Sequence, residues 1–182
     1  MRIDKKLNLV IPVEYDDRTL YVHSAPISSE AFEANYMILA KTFSKIYTAG
    51  LNWQIGPRIA ALALKEVAEE DGNWDAVQAS LVNDIERLTN VAVPGANGWE
   101  VIPYVEARSK GIIDADDARE VENAITFFIV DYAIHGRRDG EKVIKEAARL
   151  WGGQTTSSNC TEFAASLPTS TGAASSGEKA AS

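Results

Sequence analysis

Leu150-Trp151-Gly152-Gly153-Gln154-Thr155-Thr156-Ser157-Ser158-Asn159-Cys160-Thr161-Glu162-Phe163-Ala164-Ala165-Ser166-Leu167 is the stretch on which the reading of this chain turns. A helical pattern arrives at Trp151 and the Gly152-Gly153 pair breaks it. The residues beyond the glycines carry no charge until Glu162, yet keep a Cys, a Phe and a Leu. After Leu167 the composition turns to Pro168-Thr169-Ser170-Thr171-Gly172-Ala173-Ala174-Ser175-Ser176-Gly177-Glu178-Lys179. Such a segment buries too little apolar surface to offset its ordering entropy, so residues 168–182 read as a disordered tail. On this pattern residues 1–151 are the folded domain and 152–167 a polar interaction strip on a flexible tether. Trp151, Cys160, Phe163 and Leu167, together with Trp99 from a Gly/Asn-rich connection, are then the expected partner-binding residues. Truncation after Trp151 is expected to leave the fold intact and weaken recruitment of the partner.

The folded part opens on two extended segments, Leu7–Tyr15 and Thr19–Ser24, joined by Asp16-Asp17-Arg18. Apolar β-branched runs around turn chemistry predict a β-hairpin, with Pro12 placing the first strand at an edge or a bulge. Helical periodicity dominates from there on. Ser28 fits an N-cap, Ile27 and Phe32 a hydrophobic staple, and Phe32, Tyr36, Leu39, Phe43 and Ile46 one apolar stripe that stops at Gly50. Gly56-Pro57 opens a second helix through Ile59, Leu62, Ala63 and Val67; its last-turn acids, Glu66, Glu69, Glu70 and Asp71, read as solvated or as meeting a basic partner. Asn73 caps a third helix carrying Val77, Leu81, Ile85 and Leu88. Thr89–Glu100 reads as a long turn-rich loop, and Pro103 starts a short helix that ends near Gly111. Asp114 caps a helix with the stripe Val121, Ile125, Phe128 and Tyr132, closed by Gly136, and a last helix runs from Glu141 to Trp151. The fold class this predicts is mostly α with an N-terminal β-hairpin (α+β): a compact helical domain plus a disordered C-terminal tail.

Composition narrows function by exclusion. The chain has 182 residues, 46% apolar and 24% charged, which suits one domain with a proper core. A formal charge of −8 and a pI near 4.8 argue against a nucleic-acid surface, which needs a basic face. The one cysteine, Cys160, leaves no internal disulfide. No apolar run reaches the length of a bilayer span, and the charged N-terminus lacks the apolar core of a signal peptide, so a cytoplasmic location without membrane contact is expected. There is no nucleophile elbow, phosphate loop or dinucleotide glycine pattern. His23 and His135 have no partner at ligand spacing. Asp114-x-Asp116-Asp117 fails as a calcium loop, because Ala118 and Arg119 stand where a ligand and the turn glycine belong. Cys160 has no neighbouring base in sequence to activate it. No catalytic residue, metal or cofactor is expected.

The order of several short pieces resembles one protein family. Tyr21-Val22-His23-Ser24 is followed by Gly56-Pro57-Arg58-Ile59-Ala60-Ala61-Leu62, then Arg87-Leu88-Thr89-Asn90-Val91 with Pro94-Gly95 and Gly98-Trp99-Glu100. Glu120-Val121-Glu122-Asn123-Ala124 comes next, then Leu150-Trp151-Gly152, Gln154-Thr155-Thr156 and Asn159-Cys160-Thr161-Glu162-Phe163. Over most of residues 5–167 the chain resembles the tail assembly chaperones of long-tailed bacteriophages. The resemblance implies a non-enzymatic protein that coats and solubilises the helical tape measure protein and helps recruit subunits of the major tail tube protein. It also implies self-association as a further contact, residence in the host cytoplasm, and absence from the mature virion. The alternative is a structural tail component, such as a completion or connector protein, which would form a stable ring. A small enzyme or ligand-binding domain would need a polar pocket that the pattern does not supply.

Overall fold

The computed structural model of the chain describes residues 7–50, 55–150 and 152–168. Its centre is a five-stranded antiparallel sheet, so the fold is α+β with far more strand than one hairpin. Strand β1 (Asn8–Glu14) pairs with β2 (Thr19–Ser24) in the register Leu9↔Ser24 to Glu14↔Thr19, as the turn chemistry predicts. The Thr89–Glu100 stretch is a correction. It forms β3 (Thr89–Gly95) and the first half of β4 (Gly98–Pro103), a hairpin turning at Ala96-Asn97. Pro94, Gly95 and Gly98 suggested a loop, but they belong to the tip, where Gly98 takes a φ of +122°. The β-branched run before them enters the sheet against β2, which buries Val91 and Ala92 completely.

The C-terminal strip is the second correction. Gln154–Thr156 is β5, hydrogen-bonded to Asn8–Val10 on the outer side of β1, and Cys160–Ser166 is a helix, α7. The sheet order is therefore β4-β3-β2-β1-β5. Because β5 covers only the first residues of β1, Pro12 stands where β1 is still the outer edge, a position that tolerates its missing N–H. Of the expected tail, residues 169–182 lie outside the described residues.

Opposite residues in an antiparallel pair share a face. Leu9, Val13, Leu20, Val22 and Val91 point to one side and are buried there by helices. These are α1 (Ser29–Thr48), α2 (Gly56–Glu70) and α6 (Ala115–Leu150), with the smaller α3 (Trp74–Val77), a π turn (Gln78–Val82), α4 (Asn83–Arg87) and α5 (Tyr104–Ser109). The Ser28 hydroxyl accepts from Ala31 N at 3.0 Å and Asp114 Oδ1 from the amides of Asp116 and Asp117, both caps as expected. Asn73 makes no side-chain cap bond. The predicted stripes sit a little out of phase. Tyr36 is 50% and Leu62 55% exposed, while Asn35, Ile38 and Thr42 on α1, and Ala60, Leu64 and Ala68 on α2, are buried. The acids at the end of α2 are not simply solvated: Lys45 bonds Glu66 and Glu70, and Lys41 bonds Asp71 at 2.6 Å, tying α2 to α1.

Helical backbone continues through Gly136, so the expected stop is absent; a mid-helix glycine costs only about 1 kcal/mol against alanine. The helix is nevertheless not straight. The Asp114 amide donates to the Tyr15 hydroxyl, just past the end of β1. Yet a Cβ on Gly153 would stand 3.0 Å from the Val10 carbonyl and 3.3 Å from that of Ala148. Val10 and Tyr15 are roughly 17 Å apart along a strand, whereas a straight helix from residue 114 to 148 would span about 50 Å. Phe127 and Ala147, twenty residues apart, also share one apolar cluster with Ile46, Ala60 and Ala63. The two arms of α6, on either side of a bend, therefore both lie near β1. Among the described residues no helix is long and apolar enough to cross a membrane.

Candidate functional site

The two arms of α6 do not close on the sheet. Between them, β1 and the start of α2 lies a cleft of about 870 Å³. Its apolar wall comes from Leu9, Ile11 and Val13 on β1, Phe127 and Phe128 on the first arm, and Ile144 on the second. Phe127 reaches it because Gly56 lets α2 approach closely; a Cβ there would lie 2.5 Å from the Phe127 ring. Asn123 fixes the same crossing, its Oδ1 accepting from Ala61 N at 2.9 Å. The rim is mostly acidic: Glu14, Asp116, Asp117 and Glu120 stand with Arg58 and Arg119. Arg119 is paired with Asp116, and Arg58 is itself engaged.

One polar group lies deep in this cleft. Asp131 is 1% exposed, one helical turn beyond Phe127 and Phe128. Its Oδ1 accepts from the Tyr47 hydroxyl at 2.9 Å. His135, one turn further, places Nδ1 3.2 Å from the Asp131 carbonyl and 3.8 Å from Oδ1, under the edge of Phe43. Oδ2 is buried and has no hydrogen-bond partner among the described residues. Burial raises the carboxyl pKa to about 6, against the opposing pull of the Tyr47 hydrogen bond and of His135. Burial, then the Asp131 charge, pushes the Tyr47 phenol upward too, so it stays a donor. A carboxylate left half-satisfied in an apolar cleft is suited to take a cation or a strong donor.

The residues expected from sequence to bind a partner lie elsewhere. Cys160 and Phe163 are 6% and 7% exposed and face the side of the sheet opposite the helices, so they are core, not an exposed strip. The physical reason is that Asn159 caps α7 in a full capping box with Glu162, which turns a polar sequence into a short helix with one apolar face. Phe163 meets Tyr21 edge-on at 5.6 Å, and Tyr21 meets Trp99 at 5.4 Å. Trp99 is half-buried and donates from Nε1 to the Pro168 carbonyl at 3.0 Å; Leu167 is half-buried beside it in sequence. Trp151 lies outside the described residues. Burial lifts the Cys160 thiol to about 11, which keeps it protonated and unreactive.

Sequence reasoning missed Asp131 and Tyr47, and it set His135 aside as lacking a partner. A signal existed: Asp131 closes the run Ile125-Thr126-Phe127-Phe128-Ile129-Val130, where a surface acid is out of place. Among the described residues no group of three or more His, Cys, Asp or Glu side chains is arranged to hold a metal ion. Comparisons with protein-family models, characterised proteins and solved structures find no match for this chain.

Proposed function

We propose that this chain is a non-enzymatic assembly chaperone of the phage tail kind, working in the host cytoplasm. It would hold the tape measure protein soluble and help bring tail tube subunits to it. The observation that carries the reading is the open cleft over β1, whose apolar walls and charged rim suit one face of an amphipathic helix. The ordered sequence pieces between Tyr21 and Phe163 supply the identity of that helix, since the family they resemble binds a long helical partner. The −8 charge supports the same role by keeping a loaded complex dispersed.

The test is coexpression with the tape measure protein, followed by size-exclusion chromatography with light scattering. A soluble complex with many copies of this chain per partner is the expected result. An insoluble partner, with this chain eluting alone as a closed ring, would overturn the chaperone reading in favour of a structural tail component.

A further inference from the structure

The cleft holds a feature that helix binding by itself does not require. A groove for an apolar helix face works best with apolar walls throughout, yet this one carries a carboxylate at its deep end. Replacing buried charges by apolar groups of similar size is often neutral or stabilising, so the stability of the free protein does not by itself account for a carboxylate here. Its surroundings do not satisfy it. Tyr47 occupies Oδ1, and the His135 ring gives its nearer contact to the backbone carbonyl. Arg119 at the rim is held by Asp116, and Oδ2 is left without a partner among the described residues.

From this arrangement we infer that the cleft is a receptor for a single lysine, whose ammonium is taken by Asp131 when a partner helix lies along β1. The inference rests on the chaperone reading for the helix, but not for the ammonium site itself. Three observations fix the chemistry. The charge at the bottom and the balance at the rim are both acidic, with Glu14, Asp116, Asp117, Glu120 and Asp131 against Arg58 and Arg119. The walls between rim and carboxylate are apolar, which suits the methylene stem of a long basic side chain. Only one of the carboxylate's two oxygens, the buried Oδ2, lacks a hydrogen-bond partner among the described residues. A guanidinium gains most from gripping both oxygens side by side, while an ammonium is a compact charge that a single oxygen serves well. The single unpartnered Oδ2 therefore favours lysine over arginine.

The test uses the full chain and three helical peptides that differ only at one central position on the apolar face: lysine, arginine or norleucine. Binding is measured by calorimetry at pH 7.5 to the wild type and to Asp131→Asn, whose amide still accepts from Tyr47. The wild type should favour the lysine peptide over norleucine by roughly 30-fold, the scale of a desolvated charge pair, with arginine between them. In Asp131→Asn the lysine preference should vanish. Carboxyl carbon NMR of wild-type Asp131 gives a readout independent of any variant: the lysine peptide should lower its titration midpoint. Equal binding of all three peptides with an unmoved midpoint overturns the lysine receptor and leaves the chaperone reading standing. If no helical peptide binds but n-butylammonium shifts Asp131, the ammonium site holds and the chaperone reading falls. If neither binds, both fall.

Discussion

The two faces of the sheet are covered in opposite ways. On one, α1, α2 and the bent α6 bury Leu9, Val13, Leu20, Val22 and Val91 but leave a cleft with an unsatisfied carboxylate. On the other, seven-residue α7 and the turn before it leave little undone. Asn8 Nδ2 and His23 Nε2 both reach the Ser158 carbonyl, at 2.8 and 2.9 Å, and the capping box closes the helix start. The larger cover is the incomplete one. A face whose polar groups are all matched has finished its work on folding; a face that keeps a charge waiting points to a ligand.

The contrast breaks most visibly if α7 is removed. Truncation after Gly153 deletes β5 and α7, uncovers Tyr21 and His23, and strips the outer pairing from Asn8–Val10. Loss of cooperative thermal unfolding is the expected result, where the sequence pattern led one to expect an intact domain. Phe163→Ala grades the same effect: truncating a buried aromatic costs about 3–5 kcal/mol, a large share of a domain's stability, and a urea midpoint reports it. An unchanged midpoint would return 152–167 to the status of a loose strip.

Asp131→Asn tests the other face and should act in the opposite direction. The folded carboxyl titrates at about 6 against 3.8 unfolded, so between those values the native state holds the extra proton. Stability contributed by this group is intact at low pH and lost as pH rises through that window. At pH 8 the buried charge is a burden of about 2–3 kcal/mol, which Asp131→Asn removes. Urea melts at pH 4 and pH 8 should show the variant gaining on the wild type only at the higher pH. A uniform loss at both would make Asp131 a structural hydrogen-bond acceptor and no more.

How much of this was legible depended on whether the signal was local. The caps at Ser28 and Asp114 and the first hairpin derive from neighbouring residues, and they stand where the sequence puts them. The second hairpin was hidden because Pro94, Gly95 and Gly98 dilute a short strand pair, while what commits Val91 to a sheet is β2, dozens of residues upstream. α7 was hidden for the same reason: its burial depends on Tyr21 and His23. The cleft could not be read at all, since it exists only because α6 bends and brings Ile144 and Phe127 to one lining.

A smaller effect tests whether α7 is built as tightly as its bonds imply. Asn159→Ala leaves the Glu162 amide unmatched, while the reciprocal bond from the amide of residue 159 to Glu162 Oε2 keeps both its partners. The loss of such a cap is about 1 kcal/mol. It should appear as faster hydrogen exchange confined to α7, with the amides of α1 and α6 unmoved.

The smallest effect is also the one that sets the two faces directly against each other. Burial depresses the pKa of His23, whose Nε2 donates to the Ser158 carbonyl in the neutral ring. Protonation is therefore harder in the folded state than in the unfolded one. The stability this contributes is present above the ordinary histidine value of about 6.5 and falls away as pH drops through it. Acid thus loosens the face covered by α7, while it relieves the face that holds Asp131. Hydrogen exchange measured from pH 7.5 to pH 5, corrected for intrinsic rates, should show α7 and β5 amides losing protection. The amides around Asp131 should hold or gain it. In His23→Gln, which keeps a donor for Ser158 but cannot titrate, the α7 response should flatten and the Asp131 response persist. A parallel change on both faces would mean that acid acts on the whole fold, and that neither group governs the face it sits on.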